Sequence, residues 1–210
     1  MNATHAFDRL ADDVIEQCNA VLQRIQQVLP LPAVDITISS DTSDPNMLSG
    51  IVGTVFTHSR IEIFLNTEHQ NIAALIREEL PRTIAHEIHH VVRAQSGCSD
   101  ETLFDTLVTE GLACAFEALV MSDDNAEFFD AFRSDSNPQS WRLLLQKFNP
   151  DLDSTVFDYP LYFGGKDEGH YPNRAGYWVG YNLVQSHFSA NGGNAATHVA
   201  IKASDLRATI

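Results

Sequence analysis

His86-Glu87-Ile88-His89-His90-Val91-Val92-Arg93 places two histidines four residues apart with a glutamate between them. On a helix each residue turns by about 100°, so His86 and His90 project within about 40° of one another. Ile84, Ile88, Val91 and Val92 cluster roughly opposite the pair. That pattern predicts a helix packed on a core by one face and presenting imidazole nitrogens from the other. Four residues is the spacing at which two imidazoles grip one ion from a single helical face. Glu87 sits one step round, poorly placed to share that grip but well placed to reach a water held by the ion. His89 points about 60° away from the pair and reads as a bystander or a supporting partner.

Two histidines do not complete a catalytic zinc site, which takes three protein ligands and a water. No histidine follows His90 until His170, and Ser96 stands where the HExxHxxGxxH extension would place its third. Carboxylates on a following helix are the other source. Glu110, within Thr109-Glu110-Gly111-Leu112-Ala113, lies near the level of His90 if two antiparallel helices are joined by a short turn at Ser96–Ser99. Asp105, Glu101 and Glu117 compete with it, but Glu101 falls too close to the turn and Glu117 too far along. Leu103, Leu107, Leu112, Phe116 and Leu119 predict a buried stripe with Glu110 at its edge. A charge there is costly unless paired or metal-bound; a solvated rim position is the alternative. Gly111 would permit close approach of the two helices, or of substrate.

The 210 residues are 44% hydrophobic, enough to bury one substantial core with a lobe beside it. A formal net charge of −15, with no run of Lys or Arg, argues against binding nucleic acid through its phosphates. The first residues, Met1-Asn2-Ala3-Thr4-His5-Ala6-Phe7-Asp8, lack the basic and apolar regions of a secretory signal. No stretch reads as membrane-spanning. Cys18, Cys98 and Cys114 are widely separated and form neither a disulfide framework nor a zinc knuckle. A reducing, cytoplasmic compartment is the expectation.

Around the motif the elements follow in order. Phe7, Leu10, Val14, Cys18, Val21, Leu22, Ile25 and Val28 predict an amphipathic helix over residues 5–29, stopped by Pro30 and Pro32. A strand is expected at 34–38, and a loop over 39–49 containing Asp44-Pro45-Asn46. Runs at 51–56 and 61–65, parted by Thr57-His58-Ser59-Arg60, predict a hairpin. From Asn71 the pattern is helical as far as Gly97, with Pro81 either kinking one helix or opening another. Ser99 or Asp100 is expected to cap the next helix, which runs to Met121. Shorter helices and loops are expected over 126–172, and a last long helix over Ala175–Phe188. The tail is glycine-rich and then helical. Phe128, Phe129, Phe132, Trp141 and Phe148 read as core rather than as a specificity pocket.

With these residues in view, the chain resembles the predicted zinc-dependent proteases of gluzincin type, a family known mainly as a domain of unknown function. His86–Arg93 and Thr109–Ala113 carry the resemblance, and Gly176-Tyr177-Trp178-Val179-Gly180-Tyr181 looks like that family's GYxxGY helix. The resemblance implies an α+β, zincin-like fold. A small, mainly antiparallel sheet would pack on the HExxH helix, its edge strand holding an extended peptide. A mostly helical C-terminal part would follow. Residues 1–210 would form one metallopeptidase domain, with sheet and metal-site helices in 1–121 and a helical lobe in 122–210. The resemblance also implies one zinc ion held by His86, His90 and Glu110, with Glu87 as general base. In one place the chain departs from it: many relatives carry an Asp one turn after the ligand Glu, and here that position is Cys114. Cys114 reads as a small buried residue.

The expected activity is zinc-dependent hydrolysis of peptide bonds in a peptide or protein substrate, with neither nucleic acid nor membrane as partner. Tyr177 is the chosen donor to the oxyanion, with Tyr181, His170 and Arg174 as further candidates and core packing as the alternative for the tyrosines. Two other readings stand beside it. One is a metal-dependent hydrolase of a non-peptide amide or ester; the other is a zinc-stabilised binding or regulatory module without turnover, which would have no use for Glu87 as a base.

Overall fold

A computed structural model describes residues 5–42, 50–98, 100–124, 128–133, 140–164 and 171–207. The chain divides into two compact units, Met1–Gln95 and Ser96–Ile210. Both helices and strands are present, so the fold is α+β. The loop expected at Asp44-Pro45-Asn46 lies outside the described residues.

The first unit opens with α1 (Ala11–Val28), whose buried Val14, Val21 and Ile25 form the predicted apolar stripe. Strands β1 (Asp35–Ser40), β2 (Ile51–Thr57) and β3 (Arg60–Leu65) form one sheet in the order β1-β3-β2. The sheet is mixed rather than mainly antiparallel: β1 runs parallel to β3, and β2 antiparallel to it. The reason lies in β3. Ile61, Ile63 and Leu65 are wholly buried, and each such side chain contributes about 1.5–3 kcal/mol when removed from water. The strand carrying them takes the centre, and β1 and β2 flank it.

The hairpin between β2 and β3 is as expected, with Thr57 paired to Arg60 across His58-Ser59. A register shift between Val55 and Thr57 marks a bulge at Phe56. The Phe56 ring stays exposed beneath the Arg60 guanidinium, 5.2 Å from its centroid.

Helix α2 (Ile72–Gln95) is continuous through Pro81. It packs on α1 and on the sheet, chiefly against β2. Its buried face includes Ile76, Leu80, Ile84, Ile88 and Val91, as the periodicity requires.

In the second unit, α3 (Leu103–Met121) is capped by Thr102, not by Ser99 or Asp100. The Thr102 hydroxyl accepts from the Asp105 amide at 3.1 Å, while Asp105 accepts from the Thr102 amide at 3.0 Å. This is a capping box with Asp in the usual Glu place. Two further amides at this helix start, those of Leu103 and Phe104, donate to the carbonyls of Ser154 and Leu152. Asp100 accepts a hydrogen bond from the Thr109 hydroxyl.

Helix α3 is buried nearly all round, not along one stripe. Gly111, Ala113, Ala115 and Ala118 line its remaining sides and let neighbours approach closely. Short helices α4 (Asp130–Arg133), α5 (Ser140–Phe148) and α6 (Tyr159–Phe163) follow, with a 3-10 turn at Asn149–Asp151. Then come the long α7 (Ala175–Asn191) and the short α8 (Ala203–Arg207). The main packing in this unit is α3 on α7. Phe129, Phe132, Trp141 and Phe148 are buried as expected. Among the described residues no helix is long and apolar enough to cross a membrane.

Candidate functional site

In the first unit His86 and His90 stand one turn apart on α2, their ring centroids 4.5 Å apart and the rings at 78° to each other. Both are partly exposed, whereas Glu87 beside them is buried. Glu87 lies against the sheet at Gly53, in the middle of β2. A Cβ on Gly53 would fall 2.7 Å from Glu87 Cγ and 2.9 Å from its Oε1, and 2.6 Å from Thr83 Cγ2. Only glycine leaves room there for the carboxylate to rest on the strand. Glycine inside a strand pattern is a known sign of such close approach, so this contact had a signal in the sequence.

His89 is wholly buried, as is Arg93 one turn later. Both sit among residues the pattern had divided simply into apolar and ligand-bearing faces. The buried side of α2 therefore carries an imidazole and a guanidinium as well as aliphatics.

In the second unit Glu110 is buried on α3, next to Gly111. Gly111 does allow a close helix approach, and within this unit its partner is α7. A Cβ on Gly111 would lie 2.2 Å from the Gly180 carbonyl carbon, and one on Gly180 would lie 2.1 Å from the Leu107 carbonyl oxygen. The two helices thus cross backbone on backbone. The second glycine of the GYxxGY stretch is needed for this crossing, and its first, Gly176, lies under the Phe163 ring, 2.5 Å from where a Cβ would be.

The crossing sets where Tyr177 lies. Its ring packs edge-on against Phe128 and Phe163, at centroid distances of 5.6 and 5.1 Å. Its hydroxyl meets that of Tyr159, 2.8 Å away, and Tyr159 in turn donates to Glu110 Oε1 at 3.0 Å. An ionised carboxylate only accepts, so the single Tyr159 proton goes to Glu110 and the Tyr177 hydroxyl donates to Tyr159. Burial first, then the Glu110 charge and Tyr177, push the Tyr159 pKa far above the usual phenol range, keeping it a donor.

Tyr159 had no signal in the sequence. It stands at the start of a five-residue helix in a stretch without periodicity, and only the fold brings it to Glu110. The preceding chain is anchored on the start of α3 through Leu152 and Ser154, and Tyr162 donates to Asp151 at 2.7 Å.

The remaining expected residues are placed as follows. Tyr181 rests on Phe129, with centroids 5.0 Å apart. The Arg174 guanidinium lies over the Phe128 ring at 4.2 Å. Cys114 is fully buried, in keeping with its reading as a small core residue. His170 lies outside the described residues. The structure thus gathers His86, Glu87 and His90 along one stretch of α2, and Glu110, Tyr159 and Tyr177 into one hydrogen-bonded network of the second unit.

Neither the curated proteins nor the solved structures contain a match to this chain. A family described as "Predicted Zn-dependent protease (DUF2268)" matches residues 14–208. That span takes in both units, from α1 to the end of α8, so the chain belongs to this family of predicted zinc-dependent proteases.

Proposed function

We propose that this protein is a zinc metallopeptidase of gluzincin type, with His86, His90 and Glu110 as the ligands of one zinc ion and Glu87 as the general base. The observation that carries the reading is Glu87. It is a buried carboxylate that follows the first of two paired histidines in the chain and rests on the middle of a sheet strand. A site that merely stabilises the fold has no use for a base so placed.

The donor chemistry fits zinc: two imidazole nitrogens at a spacing of four and a carboxylate leave a fourth position open. Glu117, the competing carboxylate of α3, lies about two turns beyond Glu110 on the same helix. We prefer Glu110, the residue the family resemblance implies. When bound, the ion supplies Lewis-acid polarisation of a carbonyl and a water of lowered pKa. Glu87 would hold the proton released by an attacking water and pass it to the leaving amine. Strand β2 borders Glu87 and offers edge N–H and C=O groups to an extended peptide, which supports a peptide or protein substrate. Tyr177 is the proposed donor to the oxyanion, releasing its bond to Tyr159 to do so. The wide separation of Cys18, Cys98 and Cys114 along the chain supports a reducing, cytoplasmic compartment.

The test is a set of substitutions read against zinc content and hydrolysis of an unstructured protein. Glu87→Gln should keep one zinc per chain and lose about 10²-fold or more in kcat. Glu110→Ala should lose the metal, and Glu117→Ala should keep it. Full activity in Glu87→Gln, or wild-type protein without zinc at neutral pH, would overturn the proposal.

A further inference from the structure

Tyr159 has been assigned no role by the sequence, by the family resemblance or by the mechanism above. We infer that Tyr159 is a positioning residue: its hydroxyl fixes the orientation of the Glu110 carboxylate and holds the Tyr177 hydroxyl in place. The inference rests on Glu110 being a metal ligand.

Three observations carry it. The first is the hydrogen bond from Tyr159 to Glu110 Oε1, 3.0 Å long. It engages one carboxylate oxygen and so restricts rotation of the carboxylate, as a ligand binding an ion through a single oxygen requires. The second is the contact of the Tyr159 and Tyr177 hydroxyls at 2.8 Å, which ties the proposed oxyanion donor to the ligand through one phenol. The third is the packing of the Tyr159 ring. Its ring stacks on Phe163, with centroids 4.5 Å apart and an angle of 16°. Phe163 in turn packs edge-on against Tyr177 and covers Gly176. Tyr159 is 40% exposed overall, and the stack of its ring on Phe163 narrows the positions its hydroxyl takes, whereas a carboxylate without that hydrogen bond samples several rotamers.

In metal sites the groups that orient ligands are usually found on the histidines. Here Cys114 stands where an orienting carboxylate would be expected, and it is buried one turn from Glu110. Tyr159 supplies orientation through the carboxylate ligand itself. The role differs from that of a donor to the reacting atoms. Tyr159 has one proton and gives it to Glu110, so it acts on substrate only through Glu110 and Tyr177.

The experiment compares wild type with Tyr159→Phe, Tyr177→Phe and Glu110→Ala. Zinc affinity is measured by competition with a chromophoric chelator, and the cobalt-substituted proteins are compared by visible absorption. Tyr159→Phe keeps the ring and its stacking and removes only the hydroxyl. The expected result is a 10- to 100-fold loss of zinc affinity with an altered cobalt spectrum, at an unchanged metal-free melting temperature. Tyr177→Phe, which leaves the bond to Glu110 in place, should lose less affinity than Tyr159→Phe. Wild-type zinc affinity and cobalt spectrum in Tyr159→Phe would overturn the inference. So would a loss of affinity matched by an equal loss in Tyr177→Phe, or one explained by a lower metal-free melting temperature. Wild-type affinity in Glu110→Ala would instead remove the ligand assignment beneath it, and the inference with it, so the two failures are told apart by which variant keeps its metal.

Discussion

Gly111 and Gly180 meet backbone to backbone where α3 crosses α7, and neither position has room for a single methyl group. The contact lies next to Glu110 on one helix and one turn past Tyr177 on the other. A packing requirement and a candidate site therefore share the same residues, and each glycine is tied to both.

Gly180→Ala puts a methyl group 2.1 Å from the Leu107 carbonyl oxygen, a backbone atom that cannot swing aside. The helices must separate, and overpacking of this kind costs roughly 1–3 kcal/mol or more. Alanine's better helix propensity returns only about 1 kcal/mol. We expect a net loss of stability in urea denaturation and weaker zinc binding, since Glu110 would shift with its helix. Wild-type stability in this variant would show that the crossing is looser than described.

Gly53→Ala acts on the other unit. The new methyl group meets the Glu87 and Thr83 side chains, both of which can move. The fold should survive, and Glu87 should be displaced from the strand. A general base moved by about 1 Å can cost about 10²-fold in rate. The expected outcome is one zinc per chain with kcat reduced at least tenfold, measured on the same substrate as Glu87→Gln. A variant with full kcat would separate Gly53 from the chemistry.

The pH dependence of stability should carry a contribution from His187. Burial, and then the neighbouring His198, lower its pKa in the folded protein, while Asp205 works against them. The sign follows from linkage. A histidine with a depressed folded pKa favours the native state fully above its unfolded value of about 6.5, and that contribution is lost as pH falls below it. Asn191 hydrogen-bonds the ring at 3.3 Å and is neutral at every pH in this window. Denaturation midpoints of wild type and His187→Gln, measured from pH 8 to pH 5, should therefore converge toward the acid end. Parallel curves would show that His187 is charged as easily folded as unfolded.

Much of the first unit was legible because its signals are local. The four-residue spacing of His86 and His90 fixes their relation on any helix, and their rings do lie together. The β-type runs at 51–56 and 61–65, parted by Thr57-His58-Ser59-Arg60, identified the hairpin that β2 and β3 form. The same signals said nothing about which strand is central. The mixed pairing follows from how β1 docks on β3, a contact with no local code. Pro81 shows the limit from the other side: it removes one donor from α2, yet the packing on both sides keeps the helix continuous.

The second unit was harder because α3 is enclosed on all sides. An amphipathic stripe was expected of Leu103, Leu107, Leu112, Phe116 and Leu119, but small residues on the other faces let α7 and α8 close over them. The start of α3 was misread for a similar reason. Ser99, Asp100 and Thr102 are all good caps, and the choice of Thr102 depends on Asp105 and on the carbonyls of Leu152 and Ser154.

The sequence alone determined the α+β class, the helical pairing of His86 with His90, the position of Glu87 between them and the family to which the chain belongs. Each of these depends on spacing of a few residues, which helix and strand geometry convert directly into direction. Tertiary structure alone decided the mixed sheet, the glycine crossing of α3 and α7 and the bond from Tyr159 to Glu110. Those depend on which distant surfaces pack together, and close packing places a hydroxyl or a missing methyl group to within an ångström without leaving a periodic trace in the chain.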